Sequence, residues 1–287
     1  MAVLIVDGMS VLMTTGGAAA RLDRGYAFSF LTQITAAVKK LKTVGTLVCW
    51  EGGFSKRTEI LPGYKANRSP IPDLISRDRE LLKSLLTHLG ADQFHAPGYE
   101  ADDVIAHLTN TLQTDVIILS ADKDLLQLVS PRVSVYQKAR KPGEKTVREL
   151  ITSANFFEKT TWHNPAQYLM AHCAIGDAVD CIPGMPGVSA NSINLYFMGA
   201  EIGEKKRARI DEFFRDSELY LRNRSLISMM NTRDLPVQRV AGQINPYAAF
   251  RLLEEMGFAS ITGKFNGWFE AWEKANLNTI TEVPQNG

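Results

Sequence analysis

The chain has 287 residues, a net charge of +1 and 45% hydrophobic residues, a composition that excludes a disordered or strongly basic protein. No apolar run approaches the ~18 residues needed to cross a membrane, so we expect no membrane association. The three cysteines, Cys49, Cys173 and Cys181, lack metal-binding spacing. An odd number of such cysteines favours a reducing compartment, and we expect the cytoplasm of a bacterium or of a phage-infected cell.

Strand and helix patterns alternate along the first half of the chain. Helical spacing of apolar residues runs from Phe28 to Leu41 and over Ala101–Leu112, and a hairpin tip is expected at Lys138–Thr146. The predicted strands are Ala2–Val6, Gly45–Trp50, Ala91–Phe94, Val116–Leu119 and Val133–Gln137. Near-continuous apolar strands separated by helices are typical of a mostly parallel sheet covered on both faces. We therefore predict an α/β fold.

Residues 51–75 interrupt this alternation with glycines, prolines and basic side chains. Because long loops in compact domains are usually functional or disordered, we expect a mobile element that contacts the substrate. After residue 150 the strand signals fade, and helices are predicted at Pro165–Ile175, Lys205–Phe214, Glu218–Met230 and Pro246–Met256, with Asn164 and Asn245 as N-caps. Aromatic residues from Phe265 to Trp272 at helical spacing favour packing over base stacking. The predicted parts are a core over residues 1–160 and a helical part over 161–287.

Acidic residues cluster where strands end or helices begin. Asp7, Glu51 and Asp122 follow three predicted strands, and ligands of parallel sheets bind beyond the carboxyl ends of strands. The full set is Asp7, Glu51, Glu100, Asp102, Asp103, Asp122, Asp124, Asp177 and Asp180. Each small group alone is also explained by helix capping. Together, converging carboxylates repel one another, and a hard divalent cation such as Mg²⁺ relieves that repulsion.

Basic residues flank this acidic set in two segments. The first is Arg132, Lys138, Arg140, Lys141, Lys145 and Arg148; the second is Lys205, Lys206, Arg207 and Arg209, followed by Arg222 and Arg224. An acidic centre with basic flanks suits a protein that holds a polyanion around a metal site. Solvated helix faces and a charged hairpin are the alternative explanation of these runs.

Five stretches in order resemble the 5′ nuclease family, the flap endonucleases and 5′–3′ exonucleases of phages and of bacterial DNA polymerase I. They are Leu4-Ile-Val-Asp7-Gly8, Tyr64-Lys65-Ala-Asn-Arg68, Gly98-Tyr-Glu100-Ala-Asp102-Asp103, Leu119-Ser-Ala-Asp122-Lys-Asp124 and Gly176-Asp177-Ala-Val-Asp180. Ile182-Pro-Gly184-Met-Pro-Gly187-Val188 follows in register. The similarity covers roughly residues 2–200 and implies a PIN-like core.

The resemblance implies a role for each matching residue. The nine acids match the family's metal cluster for two Mg²⁺ ions, with Mn²⁺ as a substitute, although Glu51 stands where an aspartate is usual. Residues 51–75 match a helical arch in which Lys65 and Arg68 act in catalysis. A helix-hairpin-helix near residues 182–198 would grip duplex DNA with a bound K⁺. The expected DNA contacts are Arg57, Tyr64, Gly184, Gly187, Val188 and Ser189.

The hairpin departs from the family pattern, because Gly187-Val-Ser189-Ala-Asn191 lacks one glycine and the lysine. The expected function is metal-dependent cleavage of DNA near 5′ flaps, single-stranded 5′ ends or branched junctions, by a monomer that works with a DNA polymerase. Two alternatives remain open: a PIN-type ribonuclease and a catalytically silent protein that binds branched DNA.

Overall fold

The central element of the protein is a seven-stranded sheet with the order β6-β5-β4-β1-β2-β3-β7. The computed structural model describes residues 2–14, 22–139, 147–229 and 234–276. The strands are β1 (Val3–Asp7), β2 (Thr46–Cys49), β3 (Asp92–His95), β4 (Val116–Leu119), β5 (Val133–Ala139), β6 (Val147–Ile151) and β7 (Gln238–Val240). The five inner strands pair in parallel, and β6 and β7 close the two edges antiparallel.

Helices surround the sheet and make up most of the second half of the chain. They are α1 (Gly8–Met13), α2 (Gly25–Leu41), α3 (Arg57–Ile60), α4 (Asp73–His88), α5 (Ala101–Thr111), α6 (Phe156–Thr160), α7 (Pro165–Ile175), α8 (Ala190–Phe197), α9 (Glu204–Asp216), α10 (Glu218–Ile227), α11 (Pro246–Glu255), α12 (Ala259–Thr262) and α13 (Phe265–Asn276). A short 3-10 helix, Asp124–Leu128, follows β4. Within the described residues, no helix is both long and apolar enough to cross a membrane.

The sheet separates two hydrophobic cores, since successive side chains of a strand point to opposite faces. Val3 and Ile5 of β1 belong to one core, whereas Leu4 and Val6 belong to the other. The first core includes helices α5, α7 and α10, and the second includes α2, α4 and α13. Both faces are therefore covered, as the apolar strands predicted.

The predicted α/β fold is confirmed, and the five predicted strands are all present with ends shifted by at most two residues. Asn164 and Asn245 cap α7 and α11 as expected, each accepting a backbone N–H three residues on. The antiparallel pair of β5 and β6 supports the predicted hairpin, but its tip at residues 140–146 lies outside the described residues. Strands β6 and β7 were not predicted, because one alternates with charges and the other has only three residues.

The described residues after 160 contribute to the same two cores as the first half of the chain. Strand β7 joins the same sheet beside β3, and α13 packs against α2. Trp272 is fully buried there, and its indole N–H donates to Thr35 Oγ1 at 3.0 Å. The prediction that the aromatic stripe of α13 serves packing is confirmed for Phe269 and Trp272. The predicted boundary at residue 160 thus separates two segments of sequence, and both segments contribute residues to each of the two cores.

Strand register brings three predicted acids to one edge of the sheet. Asp7 is level with Cys49, two residues before Glu51, and Val6 is level with Leu119, three residues before Asp122. Because these strands run parallel, their carboxyl ends all open on the same side.

Candidate metal centre

Asp7 ends β1 and lies at the middle of this edge, buried below the surface. Its carboxylate caps α1 by accepting the Ser10 N–H at 3.0 Å and also accepts the Ser120 hydroxyl at 2.7 Å. Burial, together with repulsion from Asp122 and Glu51, nevertheless raises the pKa of Asp7 to about 7. Two hydrogen bonds therefore do not fully compensate the cost of a charge at this position.

Asp102 and Glu51 extend the acidic group around Asp7. Burial and then repulsion from Asp122 and Asp7 hold the pKa of Asp102 well above its usual range. Glu51 is open to solvent on one side, and the Ala101 N–H donates to its Oε2 at 3.3 Å. Desolvation by the surrounding protein, followed by repulsion from Glu100, raises the pKa of Glu51. These acids thus act on one another as a single electrostatic group.

The start of α5 combines capping with ion pairing. Glu100 is the N-cap and forms a capping box with Asp103, so the capping explanation of this motif holds as well. Asp103 is fully buried and accepts hydrogen bonds from both terminal guanidinium nitrogens of Arg57, Nη1 and Nη2, at 2.7 and 2.8 Å. Asp103 thus faces a buried arginine, and Arg57 is only 3% exposed; the metal-ligand role expected for Asp103 and the DNA contact expected for Arg57 remain predictions.

Residues 51–75, expected to form a mobile helical arch, pack against the acids in this structure. Within this segment only α3 and the start of α4 are helical, and Tyr64 is buried with its hydroxyl donating to Glu100 at 3.1 Å. Tyr64 thus forms a wall of the site, and its predicted contact with DNA stays a prediction. Lys65 Nζ lies 2.7 Å from Glu100 Oε2 and 3.9 Å from Asp180 Oδ2. Although burial alone would raise the pKa of Glu100, Lys65 and Arg57 lower it.

Asp124 begins the 3-10 helix and connects the first acids to a second group. Burial and then repulsion from Asp122 raise its pKa to about 7. Its Oδ1 atom is buried and accepts no hydrogen bond from any described residue. His172 Nδ1 lies 3.7 Å away, but burial lowers the pKa of His172 to about 4. The imidazole is therefore neutral near pH 7, and the contact is not an ion pair.

Asp177 and Asp180 complete this second group in the loop after α7. Asp177 accepts the N–H groups of Val179 and Asp180 and lies 3.6 Å from Lys123 Nζ. Asp180 accepts Arg68 Nη2 at 2.7 Å. Asp122 repels both Asp102 and Asp124, so it joins the two groups.

The carboxylates form an open arrangement rather than a closed cage. Among residues 2–14, 22–139, 147–229 and 234–276, no three His, Cys, Asp or Glu side chains are arranged as a ready-made ion cluster. Part of the negative charge is instead balanced by Lys65 and Arg68. The donor set still fits a hard cation, because it is all oxygen and includes a buried carboxylate atom without a donor.

The predicted hairpin residues have separate roles. A Cβ on Gly184 would lie 2.0 Å from Ile175 O, so this glycine permits close backbone packing. Gly187 adopts a positive φ of +69° at the exposed turn, Val188 packs against the first core, and Ser189 caps α8. Before the turn, Asp177 and Ile182 form an isolated antiparallel bridge. Of these four residues, Gly187 and Ser189 are exposed, whereas Gly184 and Val188 are half-buried.

Sequence reasoning missed the hydroxyls that organise the first acids. Ser120 Oγ donates to Asp7 and receives the Asp122 N–H at 2.9 Å, while Ser10 Oγ receives the Ala121 N–H. The position of Ser120, directly after a strand and two residues before Asp122, was the available signal. Tyr168 and His172 were also missed, because they approach the segment around Asp124 only through the packing of α7 against the 3-10 helix.

A parallel sheet with carboxylates at one edge and an acidic loop after α7 defines a PIN-like 5′ nuclease fold. The 5′-3′ exonuclease, N-terminal resolvase-like domain family model matches residues 2–161, and the chain belongs to this family. The chain is 30% identical over 199 residues to a 5′-3′ exonuclease of Bacillus subtilis, an alignment that covers 64% of this chain and 66% of that protein. It is 33% identical over 230 residues to the thermostable DNA polymerase I of Thermus aquaticus, covering 77% of this chain and 25% of that protein.

Solved structures share the fold at lower sequence identity. The flap endonuclease of bacteriophage T5, in a complex with DNA and metal ions, superposes with a TM-score of 0.64 at 18% identity, covering 95% of this chain and 100% of that one. Flap endonuclease-1 from Methanococcus jannaschii gives a TM-score of 0.57 at 14% identity, covering 96% and 93%. The chain thus spans just under two thirds of the bacterial exonuclease and about a quarter of the polymerase in sequence.

Proposed function

We propose that this protein is a divalent-metal-dependent 5′ nuclease that hydrolyses DNA phosphodiester bonds near 5′ flaps, 5′ ends or junctions. The observation that carries the proposal is the acidic edge of the sheet. Asp7 and Asp124 have pKa values of about 7, and Asp122 contributes to the repulsion at both. A fold retains such mutual repulsion at a cost in stability unless a cation relieves it.

The two acidic groups would hold two divalent ions. Asp7, Glu51, Glu100, Asp102 and Asp122 supply oxygens on one side, and Asp124, Asp177 and Asp180 supply them on the other. Bound Mg²⁺, or Mn²⁺ in its place, lowers the pKa of a coordinated water and stabilises charge on a phosphate. Related structures support divalent ions at such a site, since the T5 5′-exonuclease has been solved with zinc and the T5 D15 protein with metal ions. Asp103 is left out of the set because Arg57 neutralises it.

Lys65 would stabilise the scissile phosphate. Its ammonium lies between Glu100 and Asp180, one from each acidic group, so it already occupies the space between the two proposed ion sites. Negative charge grows on the phosphate oxygens during hydrolysis, and a positioned cation stabilises that charge more than the ground state. Arg68 is 49% exposed at the outer side of the same site and would place the 5′ strand.

Helix α9 would supply the duplex grip that the hairpin has lost. Arg209 Nη2 donates to Pro186 O at 2.9 Å, directly beside Gly187, and Lys206 Nζ lies 3.4 Å from Ser192 Oγ at the start of α8. Both side chains therefore bring positive charge to the turn, where the family pattern has a lysine. Phosphate contacts of this kind hold duplex DNA without reading its sequence. Structures of the T5 flap endonuclease and of the Rad2 catalytic core with DNA support such a partner.

A cleavage assay on a labelled 5′ flap tests the function. We expect Mg²⁺ to support cleavage, Ca²⁺ to support binding with little cleavage, and Asp122→Asn to abolish turnover. Asp115→Asn is the matched control, because Asp115 is an exposed carboxylate at the opposite end of β4. Undiminished cleavage in excess chelator would refute the metal mechanism.

Matched DNA and RNA flaps separate the alternatives. Preferred cleavage of RNA would indicate a PIN-type ribonuclease, and metal-independent binding without any cleavage would indicate a silent branched-DNA binder. The proposal includes a monomer that acts beside a DNA polymerase in the bacterial or phage-infected cytoplasm. The bacterial 5′-3′ exonucleases and polymerase I relatives support that setting.

A further inference from the structure

The loop directly after Glu51 presents an aromatic side chain to solvent. Phe54 is 72% exposed, although its neighbours along the chain make specific contacts with the protein. Exposure to this extent leaves most of a large apolar ring in water, which is less favourable than burial. Single exposed apolar residues are common, so the position of the ring, rather than its exposure alone, carries the argument.

The loop is anchored at both ends to the turn that precedes α5. The Gly52 N–H donates to Tyr99 O at 3.0 Å, the Gly98 N–H donates to Gly52 O at 3.2 Å, and the Lys56 N–H donates to Gly98 O at 3.0 Å. A Cβ at residue 52 would lie 1.7 Å from Ala96 O, so only glycine permits this approach. The backbone that carries Phe54 is therefore fixed rather than free.

The same anchors place Phe54 beside the proposed metal centre. Glu51 lies three residues before it, a distance of at most about 10 Å along an extended chain. Ser55, the next residue, lies near enough to Glu100 for its hydroxyl to lower the pKa of that acid. Phe54 is thus next in sequence to Ser55, whose side chain lies near Glu100. It also follows Glu51 on the same loop. Lys56 completes the surface by lying 4.5 Å from the centre of the Tyr99 ring.

We infer that Phe54 stacks on the unpaired base of the 5′ strand next to the scissile phosphate. The proposal rests on the proposed nuclease function and adds a positioning residue to it. A flat aromatic face suits any base, since every base has a π-face, and stacking therefore needs no sequence preference. Lys56 provides a cation for the adjoining backbone phosphate. Fixing one base beside the acidic edge would hold the neighbouring phosphate in register with Lys65.

The test compares two flaps that differ only in one base. One flap carries thymidine and the other an abasic residue next to the scissile phosphate. Single-turnover cleavage and half-saturating enzyme concentration are measured for the wild type, Phe54→Ala, Phe54→Trp and the control Tyr247→Ala. Tyr247 is an aromatic residue of α11 that is 76% exposed and lies away from the acids. Because Phe54 is exposed, none of these changes should alter the thermal midpoint.

On the thymidine flap, we expect Phe54→Ala to raise the half-saturating enzyme concentration by about 5- to 150-fold. This factor corresponds to the usual free energy of one stacked base. On the abasic flap, the wild type and Phe54→Ala should behave alike, and Phe54→Trp should retain the preference for the thymidine flap. An equal loss on both flaps, or the same loss in Tyr247→Ala, would overturn the stacking role. If the wild type cleaves neither flap in Mg²⁺, the proposed function itself fails.

Discussion

Changing Asp124 to asparagine should stabilise the metal-free protein. The pKa of Asp124 is about 7 in the folded protein, against an ordinary value of 3.8 for an aspartate in water. An acid whose folded pKa is raised contributes stability below the unfolded pKa, and this contribution is lost as the pH rises through the folded pKa. The ionised carboxylate therefore opposes folding above about pH 7, whereas asparagine keeps the shape of the side chain without the charge.

The magnitude follows from the difference between the two values. About 3 pH units correspond to about 4 kcal/mol at 1.36 kcal/mol per unit. The side chain is 21% exposed, so screening by water reduces the effect, and we expect a gain of about 2–4 kcal/mol at pH 8. The difference in unfolding free energy between Asp124→Asn and the wild type is called the gap. Between about pH 5 and pH 7 the gap should widen by at most about 3 kcal/mol, and above the folded pKa of Asp124 it should stay constant.

Urea unfolding with a chelator present, at about pH 5 and about pH 8, measures this gap. Asp7 also titrates near pH 7, but it is present in both proteins and cancels in the difference. The control Asp115→Asn should change stability by less than about 0.5 kcal/mol, as is usual for an exposed position. Adding Mg²⁺ should stabilise the wild type more than Asp124→Asn. If Asp124→Asn is less stable than the wild type at both pH values, the reasoning about repulsion is wrong.

Four further predictions concern the basic residues, the salt dependence of DNA binding and the hairpin. Lys65→Ala should lower the single-turnover cleavage rate by a factor of ~10²–10³ with little change in DNA affinity. A near-normal rate for this variant would contradict the catalytic role of Lys65. Arg68→Ala should instead weaken the binding of flaps more than the binding of blunt duplex. Arg57→Ala should destabilise the protein by about 3–5 kcal/mol in urea unfolding, because it removes the positive charge that balances the buried carboxylate of Asp103, and a loss below about 1 kcal/mol would refute this. DNA affinity should fall steeply with salt, whatever the sequence. Because Ser189 and Asn191 depart from the family pattern, K⁺ should give little gain over Na⁺ at equal ionic strength, and a strong K⁺-specific gain would contradict this.

The acidic edge was predictable because it depends on local rules. Asp7, Glu51 and Asp122 each follow an apolar run, and parallel strands bring their carboxyl ends to one side of the sheet. The register of the strands then decides how closely they approach. No longer-range information was needed to expect a common site, which is why this part of the prediction corresponds to the structure.

The pairing of charges was not predictable from the same rules. Arg57 and Asp103 are separated by 46 residues, and their contact depends on how residues 51–75 fold back over α5. The sequence pattern showed basic residues beside glycines and prolines, which is equally typical of an exposed loop. Likewise, the three residues of β7 have no strand signal of their own and pair with β3 only because the end of the chain returns to the sheet.

Three of the four basic residues within residues 51–75, namely Arg57, Lys65 and Arg68, are paired with acids and differ in how freely they can leave them. Arg57 is buried with Asp103, and removing one charge from a buried pair is costly, so this contact fixes the root of the segment. Lys65 is 19% exposed and shared between two carboxylates, whereas Arg68 is 49% exposed in a pair of the kind that contributes only about 0–1 kcal/mol. Cations and DNA arriving at the acids would therefore displace Arg68 first and Lys65 second, while Arg57 stays in place. A segment with a fixed root and a loosely held end can admit a 5′ strand without unfolding the wall of the site.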